Sequence, residues 1–88
     1  MDKSTDRIVT RFNYARLVKQ TTMPIITIFK SPADYPDKYV ARVFDVDKPT
    51  TLAAVADTYE ELQQAIPAGM VRLERNEKDD PVILETWI

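Results

Sequence analysis

Residues 50–75, TTLAAVADTYEELQQAIPAGMVRLER, constrain the fold more than any other stretch because they contain clear signals for one short helix. The side-chain oxygen of Asp57 or Thr58 can accept a hydrogen bond from a free backbone N–H group of a first helical turn. Glu61 follows Thr58 by three residues, which is the spacing of a capping box. Apolar residues then recur at the intervals of one helical face: Tyr59, Leu62 and Ile66. The stretch therefore predicts a helix of about two to three turns beginning near Thr58.

Pro67 and Gly69 indicate where this helix ends. Pro67 lacks the backbone N–H that would continue the helix, and Gly69, the only glycine of the chain, predicts a positive φ just beyond it. The preceding segment, 52–56, is ambiguous because its alanines favour a helix over 51–66. We predict a strand there, since the capping residues would otherwise lie unused inside a longer helix.

Two further strands precede this stretch. Pro24–Lys30 consists almost entirely of β-forming residues with apolar side chains on both faces, which predicts a central strand. Residues 31–38, SPADYPDK, have the prolines and aspartates of a loop, and Tyr39–Asp45 then returns as a strand.

Two more strands are predicted after the helix, at 70–75 and 82–88, with a polar loop at 76–81 between them. The first of them alternates cleanly, which predicts a half-buried strand. Its apolar side chains are Val71 and Leu73, and its charged side chains are Arg72 and Glu74. The complete pattern predicts an α+β fold, a single small domain with a mostly antiparallel sheet in the order β-β-β-α-β-β. One short helix packs on one face of the sheet, and the carboxylates lie outside.

The net charge of −2 conceals a basic N-terminal arm, residues 1–22, attached to an acidic compact domain, residues 23–88. The apolar residues of the arm match neither a helix nor a strand consistently. The sequence therefore leaves open whether the arm is flexible, folds into a helix on a partner, or docks on the domain. It also leaves open whether the arm is native, since Met23 offers an alternative start.

The residue types that are missing limit the chemistry. The chain has no histidine and no cysteine, which removes the commonest general base, the nucleophilic thiol and the usual transition-metal ligands. A single glycine excludes a glycine-rich phosphate loop. We therefore expect no enzymatic activity, cofactor, metal site or small-molecule substrate. The lack of cysteine and of an apolar run of about 18 residues predicts a cytoplasmic protein without a membrane span.

The leading functional hypothesis is a non-enzymatic interaction module that acts through a sheet edge or a surface patch. Its partner is another protein or a second copy in a homodimer. The candidate contact residues are Tyr35, Tyr39 and Trp87, although these rings can instead cover the sheet or join the core.

Two alternatives involve nucleic acid. In the first, the arm binds nucleic acid through its cations and rings, and the plain interpretation of the same residues is a solvated tail. The candidate residues are Arg7, Arg11, Phe12, Tyr14, Arg16 and Lys19. In the second, the acidic domain is a decoy whose carboxylates imitate phosphates and occupy the nucleic-acid-binding site of another protein.

Three segments resemble a family of small, uncharacterised proteins from Gram-positive bacteria and their phages. These segments are SPADYPDKYVARVFD, TYEELQQAIPAGMVRLER and DDPVILETWI. The resemblance covers residues 24–88 and implies one compact domain there, without indicating an activity or a ligand.

Overall fold

A computed structural model describes residues 7–74 and 82–88 of the chain. The elements follow the order β-α-β-β-β-α-β-β in a small single domain. They are β1 (Arg7–Ile8), α1 (Tyr14–Gln20), β2 (Pro24–Lys30), β3 (Tyr39–Asp45), β4 (Lys48–Ala56), α2 (Tyr59–Gln63), β5 (Arg72–Glu74) and β6 (Ile83–Trp87). Within the described ranges, no helix has the length and apolar character that a membrane span requires.

The six strands form one sheet in the order β1-β4-β3-β2-β6-β5. The sheet is mixed, because β1 pairs with β4 in parallel while the other four pairings are antiparallel. The predicted mostly antiparallel sheet with a single helix was therefore wrong in both its strand arrangement and its helix order. The α+β class and the single small domain are confirmed.

The central part of the chain agrees with its sequence signals. The strands β2 and β3 have the predicted bounds, β2 lies inside the sheet, and the ambiguous segment 52–56 belongs to β4. The hydroxyl of Thr58 accepts from the backbone N–H of Glu61 at 3.2 Å and caps α2. Gly69 has a φ of 94°, a conformation that side chains disfavour. The predicted loop at 76–81 lies outside the described residues.

The described part of the N-terminal segment packs on the rest of the domain. Asn13 caps α1 by accepting from the backbone N–H of Arg16 at 3.2 Å. Phe12 directly precedes this cap and Leu17 lies four positions after it, which is the spacing of a hydrophobic staple. Both side chains are buried in the main core cluster. Of the three possibilities left open for the segment, this conformation corresponds to docking on the domain.

Both helices pack on the same face of the sheet. Leu17 of α1 and Leu62 of α2 belong to the core cluster that also contains Ile26, Val43 and Ala54. We call this the helix face. Because neighbours along a strand point to opposite sides, the alternate residues of each strand form a second face. On that open face, Arg42 is 9% exposed and pairs with Asp34 of the loop at 31–38.

Candidate functional site

The strand β5 forms a free edge of the sheet, with β6 as its sole neighbour among the described strands. Val71 and Ile88 exchange two backbone hydrogen bonds, of 2.7 and 3.0 Å, next to this strand. In an antiparallel ladder, pairs with and without such bonds alternate. The backbone N–H and C=O groups of Arg72 and Glu74 therefore point away from β6, toward whatever approaches the edge.

The apolar side chains beside this edge are exposed. Val71 is 59% exposed, Leu73 44% and Ile88 40%. Arg72 lies opposite Trp87 on the helix face, so Val71 and Leu73 must lie on the open face. The predicted half-buried strand was wrong, because all of β5 is exposed and both helices pack on the other side of the sheet.

Exposed apolar residues also line one end of the sheet, where β3 and β6 end and β2 and β5 begin. The four residues that immediately flank these strand ends are Val46, Met23, Ile88 and Val71, each at least 40% exposed. We call these four together with Leu73 the edge patch. It contains five of the eight exposed large apolar side chains in the described residues. A concentrated apolar patch of this kind marks an interaction surface.

Val46 is held in the edge patch by an unfavourable backbone conformation. Its φ is 58°, in the left-handed region that a β-branched residue rarely adopts. Its backbone N–H donates to the carbonyl of Met23 at 3.0 Å, which fixes the turn. Strain retained at an exposed apolar residue is typical of a functional surface.

A buried carboxylate supports the edge from the helix face. Glu85 of β6 is 2% exposed and accepts three hydrogen bonds from side chains. The Tyr59 hydroxyl donates to Oε1 at 2.5 Å, Arg72 Nε donates to Oε1 at 2.8 Å, and Trp87 Nε1 donates to Oε2 at 2.6 Å. We call these four residues the Glu85 cluster. It ties β5 and α2 to β6, and it corrects the prediction that carboxylates lie outside.

The electrostatics of the Glu85 cluster favour the ionised carboxylate. Burial raises the pKa of Glu85, but the hydrogen bonds from Tyr59, Arg72 and Trp87 and the Arg72 charge outweigh it, so the net pKa is lowered. Burial, followed by the bond to Glu85, raises the pKa of the Tyr59 phenol. The bond to Glu85 raises the pKa of Arg72. At neutral pH the cluster therefore contains a neutral Tyr59 phenol, a charged Arg72 guanidinium and a charged Glu85 carboxylate.

The three predicted contact residues do not form one surface. Tyr39 is half-buried against the helix-face core, and its ring meets the Tyr59 ring edge-on at 6.4 Å. Trp87 is also half-buried against that core and is engaged with Glu85. Tyr35 is half-buried in the loop at 31–38, whose Asp34 contacts Arg42 on the open face.

The structure separates the predicted nucleic-acid-binding residues into three groups. Phe12 is 4% exposed and belongs to the core, because it forms the staple with Leu17, so its ring is not presented for stacking. Lys19 and Tyr14 are exposed on α1. The remaining three residues line one cavity and are brought together by β1 and α1: Arg7, Arg11 and Arg16.

Three acidic side chains of the described residues are paired or buried. Asp34 pairs with Arg42, Asp57 with Lys38, and Glu85 is buried. No group of three carboxylates within the described ranges is arranged to hold a metal ion. The acidic decoy stays a prediction.

Sequence reasoning missed the residues that form the edge and its support, which include Glu74, Ile88 and Glu85. A signal was present for Glu85, since Trp87 lies two residues away in the same predicted strand and Arg72 lies in the predicted strand before it. No signal in the sequence identified 70–75 as an edge strand.

Comparisons with protein-family models, curated proteins and solved structures find no match to this chain. The family resemblance of residues 24–88 stays a prediction.

Proposed function

We propose that the chain is a non-enzymatic protein-interaction module that forms a homodimer by pairing β5 with β5 of a second copy. The observation that carries this proposal is the free edge of β5 beside the exposed apolar edge patch. An unpaired edge strand offers a template for another strand, and natural proteins normally blunt such edges. The β5 edge is short and carries the charged Arg72 and Glu74, but it also leaves Leu73 exposed between them.

The positions of the outward-pointing backbone groups define the register of the pairing. Arg72 and Glu74 must form the hydrogen-bonded pairs of a new antiparallel ladder, because their backbone groups face outward. A two-fold axis through Leu73 meets this requirement. It places Arg72 opposite Glu74 of the partner subunit, and symmetry repeats this pair on the other side of the axis.

Side-chain chemistry supports the same register. Opposite charges directly across an antiparallel pair contribute about 0.2–1 kcal/mol each, and this pairing contains two of them. On the open face, Leu73 meets Leu73 of the partner subunit at the axis. The three residues of β5 form a small interface, so the apolar Val71 and Ile88 must also be covered to approach the roughly 1,200 Å² of a stable contact.

Oligomeric state tests this proposal, with Leu73→Lys as the disruptive variant. Val18→Lys is a matched control, because Val18 on α1 is also 44% exposed but lies away from β5. In sedimentation equilibrium we expect a wild-type dimer, a dissociation constant raised at least tenfold in Leu73→Lys, and no change in Val18→Lys. Circular dichroism checks that both variants keep the fold. A wild-type chain that stays monomeric at every concentration contradicts the homodimer, and equal effects of the two variants contradict the assignment to β5.

Charge reversal at Glu74 tests the register. The Glu74 side chain is 86% exposed and its pair with Arg72 of the same chain spans 3.9 Å, so we expect Glu74→Lys to keep the fold while it places lysine opposite Arg72 of the partner subunit. We expect weaker dimerisation at low salt and partial recovery as salt screens the repulsion. The wild-type dimer should show the opposite trend and weaken with salt. The same direction of salt dependence in both proteins would argue against this register.

A further inference from the structure

Two adjoining cavities lie between β1, α1 and β4, at the edge of the sheet opposite to β5. Their volumes are about 90 and about 210 Å³. Both are lined by Arg7, Leu17, Gln20 and Leu52, and the smaller one adds Arg11 and Arg16. We call the two cavities with their three arginines the arginine groove.

The arginine groove concentrates positive charge that the described residues do not neutralise. Arg7, Arg11 and Arg16 are all exposed, and no carboxylate of the described ranges lies within ion-pair distance of them. Among the other described cations, Lys38, Arg42 and Arg72 each have a carboxylate partner. Three guanidinium groups around one concavity repel one another, and a bound anion would relieve that repulsion.

The remaining lining of the groove narrows the choice of anion. Its floor is apolar, with Phe12, Leu17 and Leu52, while Asn13 and Gln20 provide amide groups at the rim. Tyr14 follows Asn13 directly and is 48% exposed. The groove therefore has cations for phosphates, and Tyr14, which is next to Asn13 in the chain but outside the cavity lining, offers an exposed ring on which a base can stack.

We propose that the arginine groove binds the phosphodiester backbone of single-stranded nucleic acid, with a base stacked on Tyr14. Guanidinium forks match the oxygen geometry of phosphate, and the ring favours a nucleobase over an acidic peptide. Cavities of this size accept one or two phosphates rather than a duplex. Because the net charge of the chain is −2, attraction of a polyanion depends on this local concentration of cations.

Fluorescence anisotropy tests this proposal by measuring the binding of a labelled oligothymidine of twelve nucleotides at low salt. The variant Arg7→Ala/Arg11→Ala/Arg16→Ala should lose at least tenfold in affinity. The control removes the same number of positive charges from exposed positions outside the groove: Lys30→Ala/Lys38→Ala/Lys48→Ala. The control should stay within about threefold of the wild type. Three phosphate contacts predict a slope of about −2 for log affinity against log salt in the wild type.

A second variant, Tyr14→Ala, separates stacking from charge. We expect it to lose about fivefold or more in affinity with an unchanged salt slope, because the ring contributes no charge. It also tests the proposal if circular dichroism shows that the triple arginine variant does not fold. The variant Leu73→Lys should bind the oligonucleotide like the wild type. The test of the arginine groove is therefore independent of whether the chain forms the homodimer.

Four results would overturn the proposal. The first is no binding of the oligonucleotide by the wild type at low salt. The second is an equal loss in the two triple variants, which would indicate attraction by overall charge. The third is competition by polyglutamate as effective as that by unlabelled oligothymidine, which would assign the groove to acidic peptides. Stronger binding of duplex than of single strands would likewise reject the single-stranded ligand.

Discussion

Replacement of Glu85 by alanine is expected to lower the free energy of unfolding by about 2–4 kcal/mol, a large part of the stability of an 88-residue domain. The substitution removes the acceptor of Tyr59, Arg72 and Trp87 and leaves a cavity at a position that is 2% exposed. The loss falls below that of a fully buried ion pair, because the Arg72 side chain is 47% exposed and can be rehydrated.

Urea denaturation measures this loss, with Glu74→Gln as the control. Glu74 lies opposite Glu85 in the β5–β6 ladder, but its side chain is 86% exposed, so we expect a change within about 0.5 kcal/mol. Glu85→Gln keeps the shape and removes the charge, and its loss should lie between the two. Equal stabilities for the two Glu85 variants and the control would show that the cluster does not hold the strands together.

The same variants give a defined pH dependence. The folded pKa of Glu85 lies below its ordinary value of 4.5, so the ionised carboxylate stabilises the fold above that pH. This stabilisation is lost as the pH falls through the folded pKa. The gap in unfolding free energy between wild type and Glu85→Gln should therefore shrink below about pH 4.5. A gap that is constant from neutral to acid pH would show that charge at Glu85 is not involved.

Replacement of Leu17 by alanine is expected to cost about 2–5 kcal/mol, the range for deleting a buried leucine side chain. Leu17 is 1% exposed and joins α1 to the helix-face core. For a domain of this size, each kcal/mol lowers the melting temperature by about 4–8 °C. Thermal unfolding followed by circular dichroism therefore detects this change easily.

Val18→Ala is the control for Leu17, since it shortens an adjacent side chain that is 44% exposed. We expect it to change stability by no more than about 0.5 kcal/mol. If Leu17→Ala is as harmless as Val18→Ala, the N-terminal segment is not docked on the core, and the arginine groove formed by β1 and α1 does not exist.

Elements with strong local signals were predicted correctly from the sequence. The Thr58 cap, the positive φ of Gly69 and the bounds of β2 and β3 depend mainly on short-range backbone and side-chain preferences. The strand at 52–56 also followed from local logic, because the cap would have been wasted inside a helix.

Features that depend on distant parts of the chain were missed. The strand β1 has two residues and exists through its parallel pairing with Leu52 and Ala53. Two residues are too few to show a hydrophobic periodicity in the sequence. The helix α1 is anchored by Phe12 and Leu17. Phe12 lies before the helix cap, so the two side chains of the staple are not spaced by the three or four residues of a helical face.

The candidate site was missed for the same reason. The alternation of Val71 and Leu73 predicted a half-buried strand, which was wrong because the helices cover the other face and no sequence signal shows this. The burial of Glu85 required three donors that converge from β5, β6 and α2, and this convergence is a property of the tertiary structure.

The most direct test of the homodimer uses Leu73→Cys, since the chain has no other cysteine. At the two-fold axis, Leu73 and its counterpart form a pair without backbone hydrogen bonds, whose Cα atoms lie about 4.5 Å apart, within the range of a disulfide. Val18→Cys supplies the control at equal exposure. Under mild oxidation we expect rapid, reductant-reversible conversion of Leu73→Cys to a covalent dimer that keeps the circular dichroism of the wild type. Cross-linking of Leu73→Cys no faster than that of Val18→Cys would contradict the pairing of two β5 strands.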